Sequence, residues 1–324
     1  MKSGYRVLLT RRWPEDAEKA LMSRYDVQAN HLDRPLSQSE LAEAMQAFDV
    51  LCPTVSDRID ASVITMPDRR VRLIANYGAG VDHIDLVAAH AAGVPVSNTP
   101  DILTEATAEL AVMMMLMVCR RAGEGEREAR AGRWEGWRPT HMLGQSPRGK
   151  ILGLVGFGRI GQATARLASR AFEMSVLYHS RRPVDRATEL SLGATYVDNL
   201  RDLMSTADVV SLHCHGGEST RHLVNADLLN CMKPHAVIIN TARGTVIDED
   251  ALVAALRAKR IAGAGLDVYE REPAISAELK NLENVVILPH LGSATSETRT
   301  LMGMRVAANI EQFLTRGELP DRVC

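Results

Sequence analysis

The chain has 324 residues, with 38 Lys and Arg against 40 Asp and Glu for a formal net charge of −2. At about 100–200 residues per domain, this length predicts two domains, each able to bury its own core. Hydrophobic residues at 46% and charged residues at 24% exclude disordered and fibrous classes. The balanced charge argues against a protein built mainly to bind nucleic acid or an anionic membrane surface.

Short β-branched or apolar runs alternate with amphipathic segments of helical length, the pattern of a parallel α/β sheet. Strands are expected first at 5–10, 50–53, 71–76 and 94–97, with helices near 15–24, 39–47 and 84–91 between them. Residues 101–121 read as one long helix, with Asp101 or Thr104 available as N-cap. The Gly-, Arg- and Trp-rich stretch 123–149 has weak periodicity and reads as a connection or surface excursion. From Lys150 the alternation restarts, with strands expected at 151–155, 175–178, 195–197, 209–213, 236–240, 264–268 and 285–288. A closing helix is expected over 294–314.

Cys52, Cys119, Cys214, Cys231 and Cys324 are odd in number and far apart, matching neither a disulfide framework nor paired metal knuckles. A reducing, cytoplasmic setting is expected. The first residues hold only Val7-Leu8-Leu9 before two arginines, too little for a signal peptide. The most apolar stretch, 110–119, is about half the length that spans a bilayer, so no membrane partner is expected.

The apolar run 151–155 enters Gly156-Phe157-Gly158-Arg159-Ile160-Gly161 and then a helical segment, a G-x-G-x-x-G loop in the context that dinucleotide binding requires. Gly156 permits the tight turn, Gly158 lets a pyrophosphate approach the backbone, and Gly161 is expected to let the helix pack closely on the sheet. The helix N-terminus then offers N–H groups and a positive dipole end to the phosphates. About 20 residues further on, an acidic residue would accept from the adenosine ribose of NAD. Here the sequence reads Tyr178-His179-Ser180-Arg181-Arg182, without a carboxylate. A hydroxyl and two guanidinium groups suit a 2′-phosphate, which favours NADP(H), with NAD(H) the alternative.

Further segments follow in a set order: Asn76-Tyr-Gly-Ala-Gly-Val-Asp82-His-Ile-Asp85, then the glycine loop, Asn240-Thr-Ala-Arg243-Gly244, Gly265-Leu-Asp267-Val-Tyr-Glu-Arg-Glu272-Pro273 and Pro289-His290-Leu-Gly-Ser-Ala-Thr295. In this order the chain resembles the D-isomer-specific 2-hydroxyacid dehydrogenases over essentially its whole length. The resemblance implies two doubly wound parallel-sheet α/β domains, a Rossmann cofactor domain over 101–290 inserted into a flavodoxin-like substrate domain over 1–100 that 291–324 completes.

The resemblance also implies an Arg–Glu–His active site at Arg243, Glu272 and His290. Arg243 would hold the substrate carboxylate and polarise the carbonyl, His290 would act as general acid, and Glu272 would favour the imidazolium. Ala79 and Gly80 would bind the substrate carboxylate through backbone N–H groups. Thr107 resembles a threonine near the nicotinamide-side phosphate, Asp267 an acceptor for the nicotinamide amide, and Thr241, Ala242 and Arg243 a floor beneath the ring. His290, Gly292 and Thr220 complete the expected cofactor contacts. His213, Cys214 and His215 are expected to wall the adenine pocket, His215 near the 2′-phosphate. His213-x-His215 would put two imidazoles on one strand face, but no adjacent carboxylate or Cys-x-x-Cys completes a zinc site, so no metal is expected.

The segment Gly132-Arg-Trp134-Glu-Gly-Trp137 resembles the family's dimer-forming region, which predicts a homodimer, with Trp137 reaching a neighbouring subunit's substrate site and Trp134 packing. Glu272 speaks against formate dehydrogenases, which have Gln at that position. The NYGAG loop and the NADP-like pocket point to reduction of glyoxylate or hydroxypyruvate. A bulkier 2-oxo acid or D-3-phosphoglycerate is the alternative within the family, and a nucleotide-sensing transcriptional corepressor the alternative outside enzymology.

Overall fold

The computed structural model describes residues 3–324. The first strands are β1 (Arg6–Leu9), β2 (Asp26–Ala29), β3 (Val50–Cys52), β4 (Leu73–Ala75) and β5 (Val96–Ser97), buried apolar runs in all but β2. They form a parallel sheet in the order β2-β1-β3-β4-β5, the flavodoxin-like winding. β2 was not expected: its residues Asp26-Val-Gln-Ala29 are mostly exposed, an edge strand with only Ala29 buried. Both faces of the sheet carry cores, one built on Leu41, Met45, Leu51 and Ile74, the other on Trp13, Leu21, Leu73 and Ile310. Ile310 belongs to the helix Ser296–Arg316, which returns to pack against Glu15–Met22. This unit runs to Leu103 and resumes at Ser293–Cys324.

The second unit, Thr104–Gly292, holds β6 (Ile151–Val155), β7 (Ser175–His179), β8 (Ala194–Tyr196), β9 (Val209–Leu212), β10 (Val237–Asn240), β11 (Gly263–Leu266) and β12 (Val285–Ile287). Their order is β12-β11-β10-β9-β6-β7-β8, all parallel, which is a Rossmann sheet extended by one strand. The order reverses between β9 and β6, and crevices at such a reversal are where ligands of open α/β sheets bind. β6, β9 and β10 are almost wholly buried, as near-continuous apolar runs in a parallel sheet should be.

The helix expected over 101–121 ends at Cys119, and a second one follows in the stretch expected to be a connection. The first, Thr104–Cys119, is apolar on most sides and packs on β10 and β11. Arg121 then adopts φ 53°, left-handed backbone, and the second helix Ala122–Arg130 begins. Its surface is polar throughout, with no buried residue, so no apolar stripe marked it in the sequence.

Candidate active site

Three turns leave the carboxyl ends of adjacent strands: β10 into Arg243, β11 into Glu272 and β12 into His290. His290 Nδ1 donates to Glu272 Oε2 across 2.8 Å. The other oxygen of Glu272 accepts the Tyr269 N–H at 3.0 Å, which fixes the carboxylate plane. Burial pushes the Glu272 carboxyl up, but the His290 hydrogen bond and charge, the Tyr269 N–H and the Arg243 charge together hold it below its ordinary value. Glu272 is therefore the anionic partner that orients the imidazole, and Nε2 of His290 has no protein partner among the described residues.

The backbone around His290 is itself built for this. His290 adopts φ 54°, in the left-handed region. Three successive N–H groups turn onto Asp267: His290 N donates to the Asp267 carbonyl at 2.9 Å, Leu291 N to Oδ1 at 2.6 Å and Gly292 N to Oδ2 at 2.8 Å. Asp267 is 1% exposed, and burial raises its pKa against the pull of these N–H groups and of His290. The strained conformation is thus over-determined by its surroundings. Thr107 donates from Oγ1 to the Gly292 carbonyl at 3.1 Å, tying the loop to the first helix of the unit.

The turn carrying Arg243 is shaped by Asn240, a buried residue to which no role was assigned from sequence. Its Nδ2 donates to the Arg243 carbonyl at 2.9 Å and its Oδ1 accepts the Ala242 N–H at 3.0 Å. A Cβ on Gly244 would lie 1.8 Å from the Tyr269 carbonyl carbon, so only glycine lets the Arg243 turn approach the Glu272 turn. Ala242 is buried, and the Oγ1 of Thr241 is buried without a hydrogen-bond partner among the described residues.

That orphaned hydroxyl, with the glycine loop, is what a dinucleotide would complete. Gly156 has φ 92°, and a Cβ there would sit 2.5 Å from the Cys214 nitrogen. Gly158, the N-cap of the helix Arg159–Phe172, has no side-chain cap and open space where a Cβ would be. Room and uncapped N–H groups coincide at one helix N-terminus, as pyrophosphate binding requires. A Cβ on Gly161 would meet the Gly156 carbonyl at 2.5 Å and approach His213 Cβ at 3.7 Å, so glycine lets the helix start close against the ends of β6 and β9. The Phe157 side chain is 4% exposed and stacks on Tyr178 at 4.0 Å, so only its backbone faces outward with the loop. Ile160 is partly exposed on the first turn of that helix.

At the end of β7, Ser180 donates from Oγ to the Arg182 carbonyl at 2.6 Å. Arg181 and Arg182 are exposed, with no ionic or hydrogen-bonding side-chain partner among the described residues. The expectation of two imidazoles on one strand face fails because β9 ends at Leu212. His213 folds back onto Ser211 Oγ at 2.9 Å, and burial pushes its pKa down to about 4, while His215 is exposed. Burial also pushes the Cys214 thiol up to about 11, so it is neither a ready metal ligand nor a nucleophile near neutral pH. Thr220 donates to the His215 carbonyl at 2.7 Å, closing that loop. Among the described residues no group of His, Cys, Asp and Glu converges as a metal-ligand set.

Trp134 and Trp137 follow the helix Ala122–Arg130 and are 59% and 82% exposed. In the first unit, Ala79 and Gly80 lie in the turn after β4 and are partly exposed. Among the described residues no helix is long and apolar enough to cross a membrane.

A Rossmann sheet with an intact phosphate loop and an acid–carboxylate pair beyond its strands is the frame of a nicotinamide-dependent oxidoreductase, and the following likenesses make it one acting on CH–OH donors. The family model for D-isomer specific 2-hydroxyacid dehydrogenase, NAD binding domain, matches residues 112–292. A glyoxylate reductase from Thermococcus litoralis is 41% identical over 322 residues, 98% of this chain and 96% of its own. An NADPH-dependent glyoxylate/hydroxypyruvate reductase from Sinorhizobium meliloti, solved with NADP and malonate, superimposes with TM-score 0.87 at 34% identity, covering 99% of this chain and 97% of that one. D-mandelate dehydrogenase from Rhodotorula graminis superimposes with TM-score 0.87 at 32% identity, over 99% of this chain and 98% of that one. The chain belongs to the D-isomer specific 2-hydroxyacid dehydrogenase family.

Proposed function

We propose that the protein reduces a small 2-oxo acid, glyoxylate or hydroxypyruvate, to the corresponding 2-hydroxy acid (D-glycerate from hydroxypyruvate) with NADPH. The observation that carries this is the 2.8 Å Glu272–His290 pair, with His290 Nε2 left unengaged at the carboxyl end of the sheet. His290 gives its Nε2 proton to the carbonyl oxygen as that oxygen gains charge, and Glu272 stabilises the imidazolium that does so. Arg243 offers a planar fork to the carbonyl and carboxylate oxygens. The amides of Ala79 and Gly80 take the carboxylate. The bound nicotinamide supplies the hydride.

The NADPH preference rests on Arg181 and Arg182, two guanidinium groups unpaired among the described residues, where a ribose-binding carboxylate would otherwise stand. Gly156, Gly158 and Gly161 with Arg159 and Ile160 would hold the pyrophosphate, and Thr241 the ring side. His213, neutral near pH 7, and Cys214 would wall the adenine, leaving charge recognition to the arginines and His215. Asp267, Gly292 and Thr107 serve by shaping the His290 loop. The exposed Trp137 and Trp134 suit a homodimer contact. Likeness to D-mandelate dehydrogenase keeps a bulkier 2-oxo acid as the second reading.

His290→Ala tests the assignment. Turnover of 2-oxo acid should fall by about 10²–10⁴, with the dissociation constant for NADPH measured by fluorescence titration staying near wild type. Undiminished turnover would remove His290 as the acid.

A further inference from the structure

The turn 78–81 after β4 is held entirely by its carbonyls. Asn76, 0% exposed, donates both Nδ2 hydrogens into it, to the Gly78 carbonyl at 3.0 Å and the Gly80 carbonyl at 2.9 Å. Its Oδ1 lies 3.0 Å from His83 Nε2, so both amide hydrogens and the oxygen are engaged and the amide cannot flip without loss. Just after β5, Asn98 Nδ2 donates to the Ala79 carbonyl at 2.8 Å, and Thr99 N adds a second bond to the Gly78 carbonyl at 3.0 Å. Three consecutive carbonyls, 78, 79 and 80, are thereby drawn toward two asparagine side chains.

In a planar trans peptide the C=O and the following N–H point in opposite directions. Drawing those carbonyls inward turns the N–H groups of Ala79, Gly80 and Val81 outward, and none of the three has an acceptor among the described residues. All three residues are partly exposed. Successive outward N–H groups make an anion-binding concavity. We infer that Asn76 and Asn98 are positioning residues that aim a three-donor carboxylate site, with Val81 N–H as its third donor. This rests on the reading that the substrate is a 2-oxo acid.

Asn76 is buried, and its replacement by Asp, which turns a carboxylate onto two carbonyls, risks the fold; Asn98→Ala, at a half-buried position, is the milder variant. Asn98→Ala should raise KM for the 2-oxo acid by about tenfold while kcat stays within about twofold. The melting temperature and the NADPH dissociation constant should stay near wild type. Asn98→Gln, which keeps the donor, should recover part of the KM. Unchanged KM, or a loss confined to kcat, would overturn the inference.

Calorimetric binding of oxalate to the cofactor-saturated protein separates this from the functional reading. Oxalate binding weakened about tenfold by Asn98→Ala upholds the site even if no 2-oxo acid is reduced. Failure of the wild type to bind oxalate would overturn it even if turnover is seen.

Discussion

As the proposed acid, His290 has to be accurate in two respects, where its ring points and which nitrogen is engaged, and separate residues fix each. Asp267 fixes the backbone by accepting three N–H groups from a left-handed turn, and Glu272 takes Nδ1. A mobile surface histidine would have neither constraint. Elsewhere a single carboxylate anchors the Rossmann sheet. Asp208 accepts the Ile151 N–H at 2.9 Å and the Lys233 ammonium at 2.8 Å, with His235 Nε2 at 2.9 Å. Burial opposes its charge, yet these donors hold its pKa down to about 2. A depressed carboxylate contributes stability that is full above its unfolded value near 4 and is lost as pH falls through about 2. Asp208→Asn should therefore cost about 2 kcal/mol at neutral pH, and the difference should shrink below pH of about 4. Urea denaturation of both proteins across pH checks this; a gap that does not change with pH would contradict it.

At the scale of elements, what could be read from sequence was what is local. The glycine loop follows its strand directly, and Arg243, Glu272 and His290 each follow an apolar run, so motif and position coincide within a few residues. What could not be read depends on distant partners. β2 exists because Asp26–Ala29 can pair with Arg6–Leu9, and Asp26-Val-Gln-Ala29 has too little apolar content to show it. The helix Ala122–Arg130 is held by polar contacts such as Arg127 with Glu283, which no periodicity reports. Asn76, Asn98 and Asn240 looked like ordinary polar residues at strand ends; their work is to satisfy backbone groups of particular turns. The loop after β7 carries its own prediction. Replacing Arg181 and Arg182 by Gln should weaken NADPH by roughly 10–100-fold and leave NADH nearly unchanged. Equal losses for both cofactors, measured by fluorescence titration, would refute the 2′-phosphate assignment.

For the whole molecule, a net charge of −2 conceals the local basic pair on which the proposed cofactor choice rests. Dividing the chain in half would also have misplaced the domains, because one unit leaves at Leu103 and resumes at Ser293. Each unit is a complete parallel sheet with its own cores, and Ala79 and Gly80 in one and Arg243, Glu272 and His290 in the other lie beyond the carboxyl ends of strands. The family establishes the reaction class, and the loop chemistry carries the narrower reading. The most direct test is the rate of NADPH oxidation by purified protein with glyoxylate and with hydroxypyruvate, beside NADH and beside a 2-oxo acid bearing an aromatic side chain. The account predicts the highest kcat/KM for NADPH with one of the two small acids, and D-glycerate as the product from hydroxypyruvate. No turnover of either small acid with NADPH, or preference for the aromatic substrate, would contradict it.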